Sequence, residues 1–353
     1  MKNERKMKVA LVNNVPKIWA IGKYAYEIHK RLLKKLKIDH VYFDYDKKEL
    51  RIENKGVLKR SRFFLDNKFL FLLRIKRYLP DYDLYHATNQ NISFVLNGRN
   101  GKKSIFTCHD IIPYIYPKNF LEKKFRGFLY SGMKNADIII ADSKNTKADL
   151  IKFMKIPEGK IRVVYLGVDN IYKRISKERA RKKLGLQING KILMHVGEDL
   201  ERKNTDRIYR AYFKAKERIK DLILIRIGKV KKKIPGVNYY YKVSEKEMVL
   251  FYNAADILLI PSIYEGFGLP VIEAFACGTA VIASKTSSLP EVVGDAGLLV
   301  NPYKTDEISD AIYRLLKEQK LYNNLVKKGL KRVKNFTWEK CANNILKIYK
   351  ELK

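Results

Sequence analysis

The sequence predicts an α/β protein of two domains, each organised around a parallel sheet. Three observations carry this. Short uninterrupted apolar runs such as Ile257-Leu258-Leu259-Ile260 recur along the chain, and such runs suit parallel strands covered on both faces. They pass into polar or glycine-containing loops and then helices, most plainly from Tyr264 to Gly278. Finally, 353 residues exceed what one core usually organises.

Composition narrows the class further. A 46% hydrophobic share is that of a globular protein. No apolar run is long enough to span a bilayer, and Met1 to Met7 leads into a strand without a signal-peptide core, so a cytoplasmic location is expected. Cys108, Cys277 and Cys341 are scattered without metal-ligand spacing, as buried thiols in a reducing compartment would be. The formal net charge of +36 leaves nucleic acid, an anionic membrane face and an anionic substrate open as partners. No zinc-finger or RNP motif favours nucleic acid, and genomic bias or adaptation to heat also enriches lysine.

In chain order, Lys8 to Asn14 reads as a first strand ending in polar residues, followed by a loop with Gly22 and a helix over Tyr24–Leu36. Ligands of doubly wound sheets bind beyond the carboxyl ends of strands, which makes Asn14, Gly22 and Lys23 cleft candidates. The basic, aromatic segment from Val57 to Leu79 has two readings. One is an interfacial helix whose Lys59, Arg60, Arg62, Arg74, Lys76 and Arg77 meet anionic lipid; the other is a core helix with a solvated basic face. Two further strand ends carry His86 and the pair His109-Asp110, the latter a reasonable catalytic or substrate-orienting group, and His86 and Asp110 join the acceptor or cleft candidates. Ala136–Ala141 is another strand, with Ser143 the N-cap of the next helix. Ile161 to Asp169 closes a first domain of residues 1–168.

The second domain, residues 169–336, opens with the strand Lys191 to Gly197 and a loop carrying Arg202 and Lys203. Cations placed between a strand end and a helix can clamp a diphosphate, arginine bidentately. Leu222–Gly228 is the next strand, and Lys229 to Lys233 a solvated charge run. Val243 ends a strand before a helix started by a Ser244/Glu247 capping box. The strand Ile257–Ile260 then leads to Glu265-Gly266-Phe267-Gly268-Leu269-Pro270. Free amides and the positive end of the following helix make this an anion site, and glycines at 266 and 268 allow close approach. Glu265 reads either as a cap of that helix or as a site carboxylate. Glu273 lies among apolar residues, where a surface charge is not expected. A phosphate cradle beside two acceptor-only groups suits a sugar nucleotide. Ala280–Ser284 is a further strand, and the last helix begins near Thr337.

The segment Glu265-Gly-Phe-Gly-Leu-Pro-Val-Ile-Glu273, together with Thr107-Cys-His109-Asp110 and Gly197-x4-Arg202-Lys203-Asn204, resembles the retaining family-4 glycosyltransferases of the GT-B fold. The resemblance covers nearly the whole chain and is strongest from 191 to 303. It implies two Rossmann-like parallel-sheet domains facing across a cleft, an acceptor domain followed by a nucleotide-sugar donor domain, and a C-terminal helix (337–353) returning to the first. It also implies a GDP- or UDP-sugar donor, with mannose the first guess. The acceptor is a glycan or a lipid-linked glycan, and the anomeric configuration is retained. Carried over residue by residue, His109 lies beside the transferred sugar and Gly197, Arg202 and Lys203 hold the pyrophosphate. Backbone near Val243 faces the base, and the Gly266, Phe267, Gly268 and Leu269 amides face phosphate. Glu273 holds ribose, and Glu265 contacts the sugar as nucleophile or as stabiliser of an ion pair. The departures are Glu198 after the loop glycine and a glycine-poor loop before Gly22.

Donors placed where negative charge builds on the leaving diphosphate are usually the largest catalytic term. Arg202, Lys203 and the amides fill that role, so neither cofactor nor metal is expected. Two rivals remain at this stage: a nucleic-acid- or membrane-associated binding protein on the same scaffold, and a GT-B epimerase or phosphorylase. For a phosphorylase, no segment resembles a pyridoxal-phosphate lysine site.

Overall fold

The computed structural model describes residues 7–16, 20–44, 49–53, 55–60, 79–96 and 102–353. The chain divides into two compact units, Met1–Leu166 with Trp338–Lys353, and Gly167–Thr337.

The first unit is built on an eight-stranded sheet in the order β4-β3-β2-β1-β5-β6-β7-β8. Its strands are β1 (Lys8–Asn13), β2 (Lys37–Asp44), β3 (Glu49–Ile52), β4 (Gly56–Arg60), β5 (Leu84–Ala87), β6 (Lys103–Cys108), β7 (Ile138–Ala141) and β8 (Ile161–Val163). From β2 to β8 the pairs are parallel, whereas β2-β3-β4 is an antiparallel meander at one edge. The parallel strands β5 and β7 are buried at every position, the pattern of strands covered on both faces.

The first helix runs from Ala20 to Leu32, so Gly22 belongs to its first turn and not to a loop. A Cβ there would lie 2.0 Å from the Pro16 carbonyl oxygen; the glycine permits close packing of the helix on the preceding backbone. The expected helix over 57–79 is corrected at its start. Residues 57–60 lie in β4, paired antiparallel to β3, and 61–78 lie outside the described residues.

The C-terminal helix Trp338–Glu351 packs in the first unit. Its Tyr349 hydroxyl meets His86 Nδ1 at 2.6 Å, and the Trp338 and Tyr24 rings lie 6.2 Å apart.

The second unit has six parallel strands in the order β11-β10-β9-β12-β13-β14. They are β9 (Lys191–Val196), β10 (Leu222–Ile227), β11 (Val237–Tyr240), β12 (Ile257–Ile260), β13 (Ala280–Ser284) and β14 (Leu298–Val300). Strand order reverses between β9 and β12, as it does between β1 and β5 in the first sheet, and doubly wound sheets bind ligands at such switch points. The strand expected to end at Val243 ends at Tyr240. Ser244 caps the helix Glu245–Ala254 with the predicted box to Glu247.

A buried polar network ties the opening helix of this unit to the sheet. Arg181 donates to the Ala254 and Gly190 carbonyls and to Asp256 at 2.7 Å, and Asp256 also accepts from the Ile192 N–H. Both side chains are buried, so losing one partner strands the other's charge. Asp256→Ala is expected to destabilise the Gly167–Thr337 unit by about 3 kcal/mol. The check is the urea midpoint of that unit; an unchanged midpoint would show that the network carries no net weight.

Candidate active site

In the second unit two loops meet beyond β9 and β12. The first, after Val196, begins at Gly197 with φ +149°. A Cβ on Gly197 would touch the Lys203 side chain and His195 Nε2, and one on Gly228 would come within 2.4 Å of the Gly197 carbonyl oxygen. Two glycines thus let the ends of β9 and β10 close on each other. Asp199 holds this loop to β10, accepting from Arg226 at 2.7 Å and from the Lys231 N–H. Asn204, in left-handed conformation, donates to the Pro261 and Pro302 carbonyls and locks the loop's far end.

The second loop carries Glu265, only 8% exposed. Lys203 Nζ sits 2.6 Å from its Oε1 and Arg202 Nη1 3.3 Å from its Oε2, while the Ile263 N–H donates to the Arg202 carbonyl. Glu265 is therefore no helix cap; it is the acceptor for both cations. Gly268, at φ +108°, precedes the helix Leu269–Cys277, so Pro270 is the second helical residue rather than the first. Phe267 packs its ring on Phe336. On the same helix Glu273 accepts from the Tyr252 hydroxyl at 2.7 Å; burial, then the Glu273 charge, pushes Tyr252 well up. Val243 is half-buried at the start of the helix Glu245–Ala254.

The sequence reading missed what holds the glycine loop. Ser284 and Thr286 donate to the Ser262 and Ile263 carbonyls, Ser288 donates to those of Glu265 and Phe267, and the Glu265 N–H donates to Ser287 Oγ. The available signal was the hydroxyl run Ser284-Lys285-Thr286-Ser287-Ser288 after a strand. His195 was also passed over. It donates from Nδ1 to the Leu259 carbonyl, and burial, followed by the Arg226 charge, drives it well below the ordinary value and keeps it neutral.

In the first unit the polar strand ends assemble around His109. Its Nδ1 lies 2.5 Å from Asp142 Oδ2 and its Nε2 2.9 Å from the Thr88 carbonyl oxygen. The Thr88 carbonyl only accepts, so Nε2 carries a hydrogen; facing an ionised Asp142, Nδ1 carries one too and the ring is an imidazolium, although burial raises the Asp142 carboxyl. Burial alone pushes the ring down, but the Asp142 charge and hydrogen bond, with the Thr88 carbonyl, outweigh it and the net shift is upward. Asp110, expected as the partner, instead accepts from the Ile112 N–H, and Asp142 at the end of β7 takes its place.

His86 is corrected from cleft to core. It is fully buried, with Nε2 on Thr107 and Nδ1 on Tyr349, and burial, aided by His109, lowers it to about 3. Asn14 accepts from Asn89 at 2.8 Å, and Lys23 is half-buried on the first helix. The sequence holds two Asp-x-Asp runs passed over in the metal-free reading: Asp44-Tyr45-Asp46, which falls partly outside the described residues, and Asp81-Tyr82-Asp83, at the amino end of β5. There Asp81 pairs with Lys102 and Asp83 accepts from the Lys8 N–H.

Because its native value is raised, His109 by itself contributes stability to the first unit that is fully present below the ordinary histidine pKa of about 6.5. That contribution is lost as pH rises through the native value. Histidine side-chain NMR is expected to show His109 still protonated above the ordinary value. In Asp142→Asn it should titrate below that value, because burial then dominates. A wild-type ring that is neutral above pH 6.5 rules out the imidazolium.

Comparison with known proteins matches this architecture. The sequence model described as "Glycosyltransferase Family 4" fits residues 21–170, and that described as "Glycosyl transferases group 1" fits residues 176–332. The O-antigen chain mannosyltransferase B of Escherichia coli is 28% identical over 375 residues, covering 94% of this chain and 96% of that protein. A D-inositol 3-phosphate glycosyltransferase of Corynebacterium aurimucosum is 30% identical over 240 residues, 61% of this chain and 57% of that one. Among solved structures, sucrose-phosphate synthase of Thermosynechococcus elongatus superposes with a TM-score of 0.79 at 21% identity, over 98% of this chain and 99% of that one. Anabaena HepE, solved with UDP and glucose, gives 0.74 at 16%, over 98% and 100%. With one model matching most of each unit and the fold shared end to end, the chain belongs to family 4 of the glycosyltransferases and has the GT-B fold.

Proposed function

We propose that this glycosyltransferase moves a sugar, mannose first among the choices, from a nucleoside-diphosphate sugar to a glycan or lipid-linked acceptor, with retention and without a metal. The observation that carries the reading is the cluster of Lys203 and Arg202 on Glu265, beside a glycine loop and a helix N-terminus. Two cations against one carboxylate leave an excess positive charge there. Lysine has three donors, so Lys203 can hold Glu265 and still turn a hydrogen toward a phosphate oxygen. As the glycosidic bond to the diphosphate breaks, these cations and the Gly266–Leu269 amides take up the negative charge. Glu265 faces the positive anomeric carbon, Glu273 accepts from ribose hydroxyls, and His109 orients the sugar. Mannose is supported by the name of the Escherichia coli relative; HepE, solved with UDP and glucose, keeps UDP beside GDP as a base to test.

Association with an anionic membrane face is part of the proposal. The helix Phe120–Tyr130 presents Phe120, Leu121, Phe125 and Phe128, which are 47% to 75% exposed, and its exposed Lys123 and Lys124 lie among them. Aromatic and leucine side chains interleaved with lysine suit the headgroup boundary of an anionic bilayer. No helix among the described residues is long and apolar enough to cross a membrane.

Incubation with GDP-, UDP- and ADP-sugars should release nucleotide from one class preferentially. Lys203→Ala and Glu265→Ala should each cut transfer by about a hundredfold or more with the fold intact. EDTA should leave the rate nearly unchanged. Near-native turnover in both variants, or complete loss in EDTA restored by magnesium, removes the assignment.

Vesicle sedimentation tests the membrane reading. Binding to phosphatidylglycerol vesicles at low salt, weakened by high salt and by the double variant Leu121→Asp/Phe125→Asp, is expected. Equal binding to phosphatidylcholine, or none at low salt, argues against it.

A further inference from the structure

Away from both strand-end clusters, three side chains meet in the first unit. His29 lies on the last turn of the helix Ala20–Leu32, His40 in the middle of β2, and Glu53 just past β3. Both histidines are buried, and both turn Nδ1 to the same carboxylate oxygen, Glu53 Oε2, at 3.4 and 2.7 Å. Their rings lie 5.5 Å apart at 40°. The Glu53 N–H donates to the His40 carbonyl at 3.0 Å, which seats the carboxylate against β2. All three donor atoms fall within 4.8 Å of one another.

We propose that His29, His40 and Glu53 form a binding site for a divalent transition-metal ion of the zinc class, joining the end of the first helix to β2 and to the end of β3. Ligand atoms around a tetrahedral zinc, at bonds of about 2.1 Å, stand about 3.4 Å apart. The His29–Glu53 spacing already has this value, and the remaining separations need adjustments of about an ångström. Two imidazole nitrogens and one carboxylate oxygen are the donor set of zinc sites that keep a fourth position for water. Magnesium and calcium prefer all-oxygen sites.

In the metal-free protein each Nδ1 that faces the carboxylate carries a hydrogen. The ion replaces those hydrogens, which move to Nε2 or leave to solvent. His40 Nε2 has no hydrogen-bond partner among the described residues, so that change breaks no existing bond. Glu53 is 26% exposed on its side chain and supplies the route from solvent. The other three of the chain's five histidines, His86, His109 and His195, have Nδ1 engaged elsewhere and offer no competing cluster.

Untagged full-length protein, stripped with a chelator, is titrated with zinc against a chromophoric indicator and followed in parallel by thermal unfolding. One equivalent is expected to bind with micromolar or tighter affinity, to resist excess magnesium, and to raise the midpoint by a few degrees. Cobalt should bind in its place and show the visible absorption of a tetrahedral ion. Glu53→Gln and His29→Gln should each weaken zinc at least about tenfold and remove the thermal gain. Glu53→Gln, the milder change at a partly exposed position, keeps the test meaningful if His29→Gln does not fold. Absence of stoichiometric zinc and cobalt binding by the wild-type chain overturns the proposal, as does undiminished affinity in Glu53→Gln.

Discussion

Glu265 lies almost wholly out of water, where an ionised carboxylate is costly unless charge and hydrogen bonds compensate it. Lys203 and Arg202 supply that compensation from another loop, and much of the second unit follows from the need to keep the three together. Asp199 and Asn204 pin the loop bearing the cations at its two ends. The hydroxyls of Ser284, Thr286, Ser287 and Ser288 pin the loop bearing the carboxylate. Either loop moving by an ångström leaves buried charge unpaired, so the cluster and its supports are mutually required.

The first unit applies the same rule with a histidine. His109 leaves the end of β6, Asp142 the end of β7 and Thr88 the end of β5, so three adjacent parallel strands each deliver one partner. Parallel strands send all their carboxyl ends to one edge, which is why residues far apart in sequence converge there. The core beneath is polar as well: Tyr349, His86, Thr107 and Tyr24 form a chain of hydrogen bonds within the buried layer. That chain fastens the C-terminal helix to the sheet and explains why His86, for all its strand-end position, is a structural residue.

Much of the second unit was legible because its signals are local. The strand-loop-helix run around Glu265, the cation pair before Asn204 and the Ser244/Glu247 box each lie within a dozen residues, and backbone geometry alone relates them. The first unit was less legible. Its β2-β3-β4 meander has no motif, and the reading passed over residues 37–56 entirely. Asp110 beside His109 looked like a pair by adjacency, but the Ile112 amide takes Asp110 and the partner comes from 33 residues away.

By itself the sequence determined the doubly wound α/β class, the glycine loop before a helix in the second unit and the family to which the chain belongs. Each of these is written in apolar runs and in glycine, proline and charge at fixed short spacing. Tertiary structure alone decided which carboxylate faces His109, which hydroxyls hold the glycine loop, that His86 is core, and that His29, His40 and Glu53 share one point. The physical reason is that strand order and register, not distance along the chain, choose a residue's neighbours in a sheet. Side chains of the same kind are therefore core or site according to the strand beside them.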